Sequence, residues 1–580
     1  MSTISEAQQL LQKYYGYSSF RSGQEEIIKN ILQGRDTLGI MPTGGGKSVC
    51  YQIPALMQDG TTLVISPLIS LMKDQVDSLE SHGIAATYIN SSLEQKEVSA
   101  RIRKAGKESY KLLYIAPERL ESERFIALLQ TLPISMVAID EAHCISQWGH
   151  DFRPCYLSIA KLIQELPNRP VVTAFTATAT QEVQLDILRL LNMKGSHMVV
   201  TGFNRENLAL SILREGNKKD FILRYIKQNK NQAGIVYAAT RKEVEDVFET
   251  LRKQGIAVGK YHAGLSDEER IASQDAFLFD DLRVMVATNA FGMGIDKSNV
   301  RFVLHHNMPK TMEAYYQEAG RAGRDGEPSE CILLFSPQDI QLQKFLIEQS
   351  ASAPERKMNE YKRLQLMVEF CHTPQCLANA ILHYFGERDH SEPCGRCGNC
   401  KDERELTDIT VEAQKIFSCI RRMKERFGVS FIADVLKGAA NKRVRQYSFD
   451  SLPTYGAMRE YKDKEITDLI HVLVAEGYIA LTDGQYPVAK LTSKAAAVLH
   501  SEASVYQRVW NRRKESFSSL DQLLFEQLRV LRKELSTRDR VPPYVIFPDS
   551  TLRELSEKIP TEAASMLRIK GVGEVKFAKY

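Results

Sequence analysis

Short apolar runs alternate with amphipathic stretches along residues 1–340. In the first half of this region the apolar runs are nearly continuous, which is typical of strands buried on both faces of a sheet. These runs are TLVIS (62–66), KLLYIA (111–116), SMVAID (135–140) and PVVTAF (170–175). Because helical stretches lie between them, the pattern predicts a parallel sheet with helices on both faces.

The same alternation starts again in the second half of this region. Its apolar runs are GIVYAA (234–239), AVGKYH (257–262), LRVMVA (282–287), RFVLHH (301–306) and CILLFS (331–336). Two such sets predict two α/β domains, each with its own parallel sheet. We expect the boundary between Thr201 and Glu215.

The strand pattern stops after Ser336, and a charged helical stretch is predicted from there to about Phe385. Between residues 407 and 505 we expect helices followed by a hairpin. One segment there repeats its apolar residues at i, i+3, i+4, i+7 and i+8, the spacing of a buried helix face. These residues are Ile466, Leu469, Ile470, Leu473 and Val474.

The hairpin is predicted in GYIALTDGQYPVAKLT (477–492), where Asp483-Gly484 would form a two-residue loop. Helices followed by such a hairpin predict a winged-helix module. Residues from about 515 to 580 predict a final helical unit.

Length and composition limit the classes of protein to which the chain can belong. At 580 residues the chain is long enough for several domains. Charged residues make up 26% but the net charge is only +4, so any nucleic-acid-binding surface must be local. The amino terminus has no apolar signal core, and no apolar run approaches the roughly 20 residues needed to cross a bilayer. We expect a cytosolic protein that contacts no membrane.

The ten cysteines fall into two groups. Five are scattered, and we expect them to serve as small apolar side chains. These are Cys50, Cys144, Cys155, Cys331 and Cys419. The other five lie close together, which in a cytosolic chain favours a metal over disulfides.

Three cysteines of the second group, Cys394, Cys397 and Cys400, have CxxC spacing. A closed tetrahedral zinc site needs a fourth thiolate, and both Cys371 and Cys376 qualify. A redox motif is the alternative interpretation. No open coordination position or base is evident, so we expect a structural zinc whose loss unfolds the local platform.

A phosphate-binding loop is predicted in MPTGGGKS (41–48), which follows the apolar strand TLGI. Backbone N–H groups of Thr43, Gly44, Gly45 and Gly46 would approach phosphates closely, and the following helix N-terminus adds a favourable dipole. Lys47 would reach the β- and γ-phosphates, and the Ser48 hydroxyl would bind Mg²⁺. Met41 stands where the general pattern has glycine, and a glycine-rich surface turn is the alternative.

An acidic pair, Asp140-Glu141, ends a predicted buried strand. Asp140 would hold Mg²⁺, and Glu141 would polarise the attacking water. Downstream of a phosphate loop, this pair indicates a nucleoside triphosphatase.

The second α/β domain carries QEAGRAGRDG (317–326). We expect Arg321 and Arg324 to lie on one helical turn and share a face, from which either could stabilise charge on the transferring phosphoryl group. The alternative is a solvated basic face. The small residues Gly320 and Gly323 packed between the arginines argue against that alternative.

The order of motifs resembles that of the RecQ family of superfamily 2 helicases, over about residues 8–575. The motifs are FRSGQ (20–24), MPTGGGKS (41–48), DEAHCISQWGHDFRP (140–154), TATAT (176–180), VATNAFGMGIDK (286–297) and QEAGRAGRDG (317–326). The resemblance implies an α/β protein with two RecA-like doubly wound parallel-sheet domains. It also implies a helical zinc-binding subdomain, a winged-helix domain and a small helical HRDC-like bundle.

The domains that this resemblance implies have the following boundaries. They are 1–205 and 206–340 for the RecA-like domains, 341–406 for the zinc-binding subdomain, 407–514 for the winged helix and 515–580 for the HRDC-like unit. The HRDC-like unit looks truncated, and Gly571-Val-Gly573 within it could present backbone N–H groups to a phosphate. The implied activity is ATP-dependent unwinding of DNA in the 3′ to 5′ direction, in repair, recombination and the SOS response.

The resemblance also assigns roles at the nucleotide. Tyr17 and Arg21 would sandwich adenine, and Gln24 would hydrogen-bond its edge. Arg324 matches the arginine finger, with Arg321 in support. Two further residues, Gln317 and Asp296, are expected at the same cleft. Among the cysteines, the family carries its remaining zinc ligand at the position of Cys376.

DNA contacts are expected in two places. Trp148, Phe152 and Arg153 belong to a segment that resembles the family's aromatic-rich loop and could stack on unpaired bases. The alternative is that the two aromatic residues belong to the core. Lys442 and Arg443 lie in a basic run suited to phosphates, or form a charged surface helix.

The implied cofactors are ATP, Mg²⁺ and Zn²⁺, and the implied partners are single-stranded and forked duplex DNA. Single-strand DNA-binding protein is a candidate partner. We expect the enzyme to be a monomer and to lie in the cytoplasm, associated with the nucleoid. Two rival functions are an RNA helicase and a catalytically silent DNA-binding scaffold. The cysteine cluster and the winged helix argue against the first rival, and the intact ATP motifs argue against the second.

Overall fold

The computed structural model of the chain describes residues 3–90, 93–107, 110–193, 195–214, 217–292, 297–350, 353–387, 392–402 and 406–507, with separate positions between 524 and 577. Contacts divide the chain into two compact units. One comprises residues 1–403 with 409–505, and the other comprises residues 404–408 with 506–580. No helix in the described ranges is both long enough and apolar enough to span a membrane.

The first α/β domain is built on a parallel sheet with the strand order β3-β4-β2-β5-β6-β1-β7 among the described residues. Its elements are α1 (Ile4–Tyr15), α2 (Gln24–Leu32), β1 (Thr37–Ile40), α3 (Lys47–Met57), β2 (Thr61–Ile65), α4 (Ile69–Ser81), β3 (Ala86–Ile89), α5 (Gln95–Lys107), β4 (Leu112–Ile115), α6 (Glu123–Leu129), β5 (Ile134–Ile139), α7 (Ser158–Glu165), β6 (Val171–Thr176), α8 (Gln181–Leu190) and β7 (His197–Val200). Because the strands are parallel, the carboxyl ends of β1 and β5 lie at the same edge of the sheet. At this edge the phosphate loop follows β1 and Asp140 follows β5.

The second α/β domain repeats this plan with the strand order β10-β11-β9-β12-β13-β8, also parallel throughout the described residues. Its elements are β8 (Leu208–Leu213), α9 (Lys218–Gln228), β9 (Ala233–Tyr237), α10 (Arg241–Arg252), β10 (Val258–Tyr261), α11 (Asp267–Leu278), β11 (Val284–Ala287), β12 (Val300–His305), α12 (Met312–Ala319) and β13 (Ser329–Leu334). All the predicted strands are present. Three strands, β3, β7 and β8, were not predicted.

Helices replace strands after the second sheet. They are α13 (Pro337–Gln349), α14 (Pro354–His372) and α15 (Leu377–Tyr384). The next elements are β14 (Thr407–Asp408), α16 (Thr410–Arg422), α17 (Val429–Lys437), α18 (Lys442–Gln446), α19 (Asp463–Ala475), β15 (Ile479–Leu481), β16 (Ala489–Leu491), α20 (Ser493–Leu499) and β17 (Tyr506–Gln507). The five residues predicted as one helix face are the buried residues of α19, which packs against α17 and α14.

The predicted two-residue hairpin loop is wrong. The strands β15 and β16 pair antiparallel, but their ladder closes with Thr482 N–H donating to Val488 O at 3.0 Å. The loop is therefore residues 483–487. Pro487 explains the difference, because it has no N–H to donate to a ladder that would continue towards Asp483-Gly484.

The carboxy-terminal unit contains α21 (Asp549–Lys558) and α22 (Ala563–Met566). A small apolar cluster of buried side chains joins its described parts. The cluster contains Phe547, Leu552, Leu555, Ile569 and Val572. The glycines predicted to face a phosphate, Gly571 and Gly573, lie outside the described residues.

Candidate active site

The phosphate loop connects β1 to α3 and is held from behind by the FRSGQ segment. Gly44 has φ 81°, a left-handed conformation that side chains other than glycine rarely adopt. The Gln24 amide donates to the carbonyl oxygens of Gly45 at 3.2 Å and Gly46 at 3.1 Å. Arg21 Nη1 donates to Gly44 O at 2.5 Å. The Gln24 amide therefore holds the loop backbone in this structure, and adenine recognition by Gln24 stays a prediction.

Lys47 is the first residue of α3, so its ammonium group and the helix N-terminus face the loop together. Ser48 follows in the first turn of the same helix. Thr43 is buried, and its Oγ1 makes no hydrogen bond among the described residues. Burying a hydroxyl group that makes no hydrogen bond costs free energy. A bound phosphate would accept a hydrogen bond from this hydroxyl, so the loop fits a phosphate group.

The acidic pair follows β5 at the same sheet edge. Desolvation raises the pKa of the Asp140 carboxyl, repulsion from Glu141 raises it further, and Lys47 lowers it. Glu141 has φ 47°, an uncommon backbone conformation for a residue other than glycine. Its Oε2 atom is buried and makes no hydrogen bond with the residues that the structure describes, although His143 Nδ1 lies 3.4 Å away. Two carboxylates at this position could therefore bind a divalent cation and orient an attacking water.

His143 connects the acidic pair to the TATAT segment. Its Nδ1 lies 3.0 Å from Thr176 Oγ1 and 3.4 Å from Glu141 Oε2. Its ring stacks on His150 with centroids 4.3 Å apart. Burial lowers the pKa of His143 well below its usual value, so the ring is neutral. Glu141, Thr176 and His150 are thus joined through one side chain.

The two predicted finger arginines do not share a helical face. The helix α12 ends at Ala319, and the following turns include Gly323 with φ 60°. This left-handed residue reverses the chain, so Arg321 and Arg324 point to different neighbours. Arg321 is buried beside Gly292, whereas Arg324 packs against the phosphate loop at Gly44. The expectation of one helical turn is therefore wrong.

Arg205 is a residue that the sequence did not single out. It lies in the segment that joins the two sheets. Its Nη1 donates to Thr43 O in the phosphate loop at 2.6 Å. The same guanidinium donates to the carbonyl oxygens of Gly320, Ala322 and Gly323 at 2.9–3.3 Å. No periodicity or motif in the sequence signals such a contact, because its acceptors are backbone atoms.

The aromatic-rich segment presents its three predicted residues differently. Trp148 is 44% exposed. Phe152 is half-buried, with the Arg356 guanidinium 5.4 Å from its ring centroid. Arg153 is half-buried and donates to Asp151 and to a backbone carbonyl. Trp148 is therefore the member of the three that is exposed enough to stack on a base in this structure.

The remaining predicted site residues are placed as follows. Tyr17 is exposed and Gln317 is half-buried on α12. Asp296 lies outside the described residues. Lys442 and Arg443 begin the short helix α18 and are exposed, with the Arg443 guanidinium 4.4 Å from the Phe431 ring centroid.

Four cysteine sulfurs converge beside α15. The Sγ atoms of Cys376, Cys394, Cys397 and Cys400 lie within 4.8 Å of one another, and Cys371 is buried elsewhere. Backbone N–H groups donate to the Sγ atoms of Cys376, Cys394 and Cys397 at 3.4 Å, which favours their thiolate forms. Burial acts in the opposite direction and raises the pKa of Cys397 and Cys400. Burial alone would raise the pKa of Cys394, but the N–H groups of its neighbours lower that pKa to about 7. Four thiolates at this spacing fit a closed tetrahedral zinc site.

Five family models match consecutive parts of the chain. They are the DEAD/DEAH box helicase (21–185), the helicase conserved C-terminal domain (217–326), the RecQ zinc-binding domain (337–401), the RQC domain (403–516) and the HRDC domain (521–580). A curated relative, the ATP-dependent DNA helicase RecQ of Bacillus subtilis (strain 168), is 52% identical over 99% of this chain and 97% of its own length. The chain belongs to the RecQ family of DNA helicases.

A second RecQ helicase, from Pasteurella multocida (strain Pm70), is 41% identical over 98% of this chain and 92% of its own length. Among solved structures, the Mycobacterium smegmatis helicase Lhr bound to ssDNA and AMP-PNP is 17% identical, with a TM-score of 0.49 over 87% of this chain and 62% of that chain.

Membership of the RecQ family confirms the predicted fold class and the predicted enzyme class. The chain is an ATP-dependent DNA helicase with two RecA-like domains, a zinc-binding domain, a winged helix and an HRDC domain. The predicted domain boundaries after residues 205, 340, 406 and 514 stay predictions.

Proposed function

We propose that this RecQ helicase moves 3′ to 5′ along single-stranded DNA, unwinds forked duplexes and acts in DNA repair and recombination. The observation that carries the proposal is the contact of Arg324, in the second RecA-like domain, with Gly44, in the phosphate loop of the first. A nucleotide bound at this loop lies at the seam of two domains. Its hydrolysis can therefore move one domain against the other.

Each residue of the seam has a role in this proposal. Lys47 and the loop N–H groups bind the ATP phosphates, and Glu141 orients the attacking water. Arg324 stabilises negative charge that develops on the transferring phosphoryl group. Mg²⁺, held by Ser48 and Asp140, would neutralise phosphate charge when bound. Thr43 Oγ1 and Glu141 Oε2 support this assignment, because both atoms are buried and make no hydrogen bond within the described part of the chain.

The segment from Glu141 to Trp148 would couple hydrolysis to DNA. His143 contacts Glu141 and Thr176 and stacks on His150, which lies two residues from Trp148. A change at the γ-phosphate can therefore shift the exposed indole against a bound base. Stacking on an aromatic ring does not depend on base identity, which suits a motor that moves over any sequence.

The winged helix would hold the duplex ahead of the fork. Lys442 and Arg443 are exposed at the start of α18, where they can contact phosphates without reading sequence. The single strand would then be pulled away from a duplex that is held in place.

Single-strand DNA-binding protein is our proposed partner, because unwinding exposes strands that such a protein covers. A pocket on the winged helix is lined by four basic side chains, Arg421, Lys424, Arg426 and Lys490, and by the acidic Glu425, so its net positive charge suits an acidic segment. We propose that the enzyme works as a monomer in association with the nucleoid.

The test uses fluorescent forked duplexes with a single 3′ or a single 5′ tail. We expect unwinding of the 3′-tailed duplex with ATP and Mg²⁺, and little unwinding of the duplex that has only a 5′ tail. Equal unwinding of both would overturn the direction. ATP turnover should also rise more with DNA than with RNA, and the opposite order would favour an RNA helicase.

Lys47→Ala tests the site assignment. We expect it to abolish hydrolysis and to leave binding of tailed DNA intact, because Lys47 contacts phosphates and not DNA. Lys29→Ala, an exposed position on α2, is the matched control and should behave as wild type. Hydrolysis that survives Lys47→Ala would contradict the assignment.

A further inference from the structure

Arg205 joins two loops that come from different domains. The segment Thr201–Asn207 lies between β7, the last strand of the first sheet, and β8, an edge strand of the second. From this segment one guanidinium reaches the phosphate loop and the turn that carries Arg321 and Arg324. The two loops are thus connected through a side chain as well as through the chain itself.

The hydrogen bonds of Arg205 are distributed unequally. Three bonds go to the turn, at the carbonyl oxygens of Gly320, Ala322 and Gly323, at 3.3, 3.0 and 2.9 Å. One bond, the shortest, goes to Thr43 O at 2.6 Å. If the domains separate, the side chain would stay with the turn and release the single bond to Thr43. The bond to Thr43 is therefore the part of this contact that can form and break in each cycle.

A second side chain of the same segment also supports this turn. Gly323 has φ 60°, and its carbonyl oxygen also accepts from Asn207 Nδ2 at 2.7 Å. Arg205 and Asn207, two residues apart, therefore hold the same turn. Only Arg205 of these two also hydrogen-bonds the phosphate loop among the described residues.

We propose that Arg205 is a positioning residue that places the Arg324 turn against the phosphate loop when the loop is in its nucleotide-binding conformation. The proposal rests on the function proposed above for Arg324. Arg205 would act on hydrolysis through that turn and not as a ligand of the transferring phosphoryl group.

The choice of arginine fits this role. A guanidinium offers five N–H donors in a rigid plane, so it can bridge four carbonyl oxygens at once, whereas an ammonium group is a point donor. Burial lowers the pKa of Arg205, and repulsion from Arg324 and Arg21 lowers it further. The three cations converge on the loop, so a bound polyphosphate would relieve repulsion among them and favour the closed arrangement.

The experiment compares single-turnover and steady-state ATP hydrolysis by the full-length zinc-loaded chain with single-stranded DNA. Arg205→Lys keeps the charge and Arg205→Gln removes it. Because positioning acts on the chemical step, we expect both to lower kcat about tenfold or more and to change the KM for ATP less than about threefold. A raised KM with unchanged kcat would overturn the proposal, because it would make Arg205 a simple nucleotide ligand.

Arg396→Lys is the matched control. Arg396 also donates from its guanidinium to this part of the chain, namely to the carbonyl oxygens of Arg205 at 3.2 Å and Leu208 at 3.3 Å and to Asn204 Oδ1 at 3.0 Å. None of these three hydrogen bonds reaches the phosphate loop or the Arg324 turn. It should keep its zinc and its turnover. An equal loss of kcat in Arg396→Lys and Arg205→Lys would overturn the proposal, because it would assign the effect to general support of the segment.

A double-mutant cycle with Arg324→Ala separates this inference from the proposed function. If Arg205 acts through the Arg324 turn, Arg205→Lys should lower the residual rate less than about threefold once Arg324 is absent. Independent, multiplicative effects would overturn the inference alone. Unchanged turnover in Arg324→Ala would overturn the proposed finger, and the inference with it. Thermal unfolding of each variant checks that the chain is folded.

Discussion

Arg324 and Gly44 touch across the seam between the two RecA-like domains. A Cβ atom added at Gly44 would lie 3.4 Å from Arg324 Cγ and 3.5 Å from Arg324 Cα. The phosphate loop and the arginine turn are thus in van der Waals range with no side chain between them. Glycine at position 44 permits both this approach and the left-handed backbone.

Gly44→Ala is expected to remove most DNA-stimulated ATP turnover. The left-handed conformation would cost alanine about 1–2 kcal/mol, and relaxation of that strain would turn the loop N–H groups away from the phosphates. Nucleotide affinity and turnover are the measurements.

Gly34→Ala is the control for strain alone. Gly34 has φ 74°, and an added Cβ would meet nothing within 4 Å. It should lose stability but keep its turnover. If the two variants lose equal activity, the effect of Gly44→Ala belongs to general strain and not to the seam.

Trp148→Ala is expected to weaken binding of single-stranded DNA and to lower unwinding. Trp148 is exposed on the segment that follows the acidic pair, and stacking of one base on an aromatic ring contributes about 1–3 kcal/mol. Fluorescence anisotropy with a labelled oligonucleotide measures the affinity. DNA-free ATP turnover should change little, because the proposed role of Trp148 is to contact DNA and not the nucleotide.

Leu185→Ala controls for the loss of an exposed apolar side chain. Leu185 is 66% exposed on α8 of the same domain and has no predicted role. Equal DNA affinity of Trp148→Ala and wild type would contradict the stacking role.

Zinc binding is expected to require Cys376 and not Cys371. Cys376→Ala should lose the metal, because its Sγ belongs to the four-sulfur cluster. Cys371→Ala should keep the metal, because Cys371 is buried outside the cluster and serves as a small apolar side chain. Metal analysis of the purified variants gives the zinc content.

Loss of zinc should also lower the temperature of unfolding, because a structural metal contributes folding free energy. A chelator should therefore destabilise wild type and Cys371→Ala alike. Full zinc occupancy in Cys376→Ala would show that another residue supplies the fourth ligand.

The strands that the sequence did not predict share one property. β3, β7 and β8 are edge strands of their sheets. In β7 only Val199 is buried, and β8 alternates buried with half-buried residues. An edge strand is covered on fewer sides, so it lacks the continuous apolar run that marked the central strands. The hydrophobic pattern therefore predicted the central strands of both parallel sheets but, of their four edge strands, only β10.

The residues of the candidate site also divide into those that the sequence predicted and those that it did not. The phosphate loop, the acidic pair and the CxxC cluster could be predicted, because their chemistry depends on residues close in sequence. The role of Arg205 could not, since its acceptors are carbonyl oxygens of two distant segments, which any residue type provides. The Gln24 contacts with Gly45 and Gly46 were missed for the same reason.

Acidification is expected to loosen the winged helix from α14. His372 on α14 stacks on His471 of α19 with centroids 4.7 Å apart. Burial lowers the pKa of both histidines, and the nearby Arg214 guanidinium lowers both further. The Asp468 carboxylate, 3.6 Å from His372 Nε2, opposes this shift at His372 without reversing it. Both rings are therefore neutral at pH 7 when folded, but they protonate near the usual pKa of 6.5 when unfolded.

The sign of the pH effect follows from this difference. Below about pH 6.5 the unfolded chain binds more protons than the folded chain, so stability falls as the pH falls. His471→Phe keeps an aromatic ring and removes the titration of this residue. Within the described ranges His471 Nδ1 makes no hydrogen bond that the change would remove. The unfolding temperature of wild type should therefore drop more between pH 7.5 and 5.5 than that of His471→Phe. Parallel pH profiles for the two proteins would show that this histidine pair does not control the docking of α19.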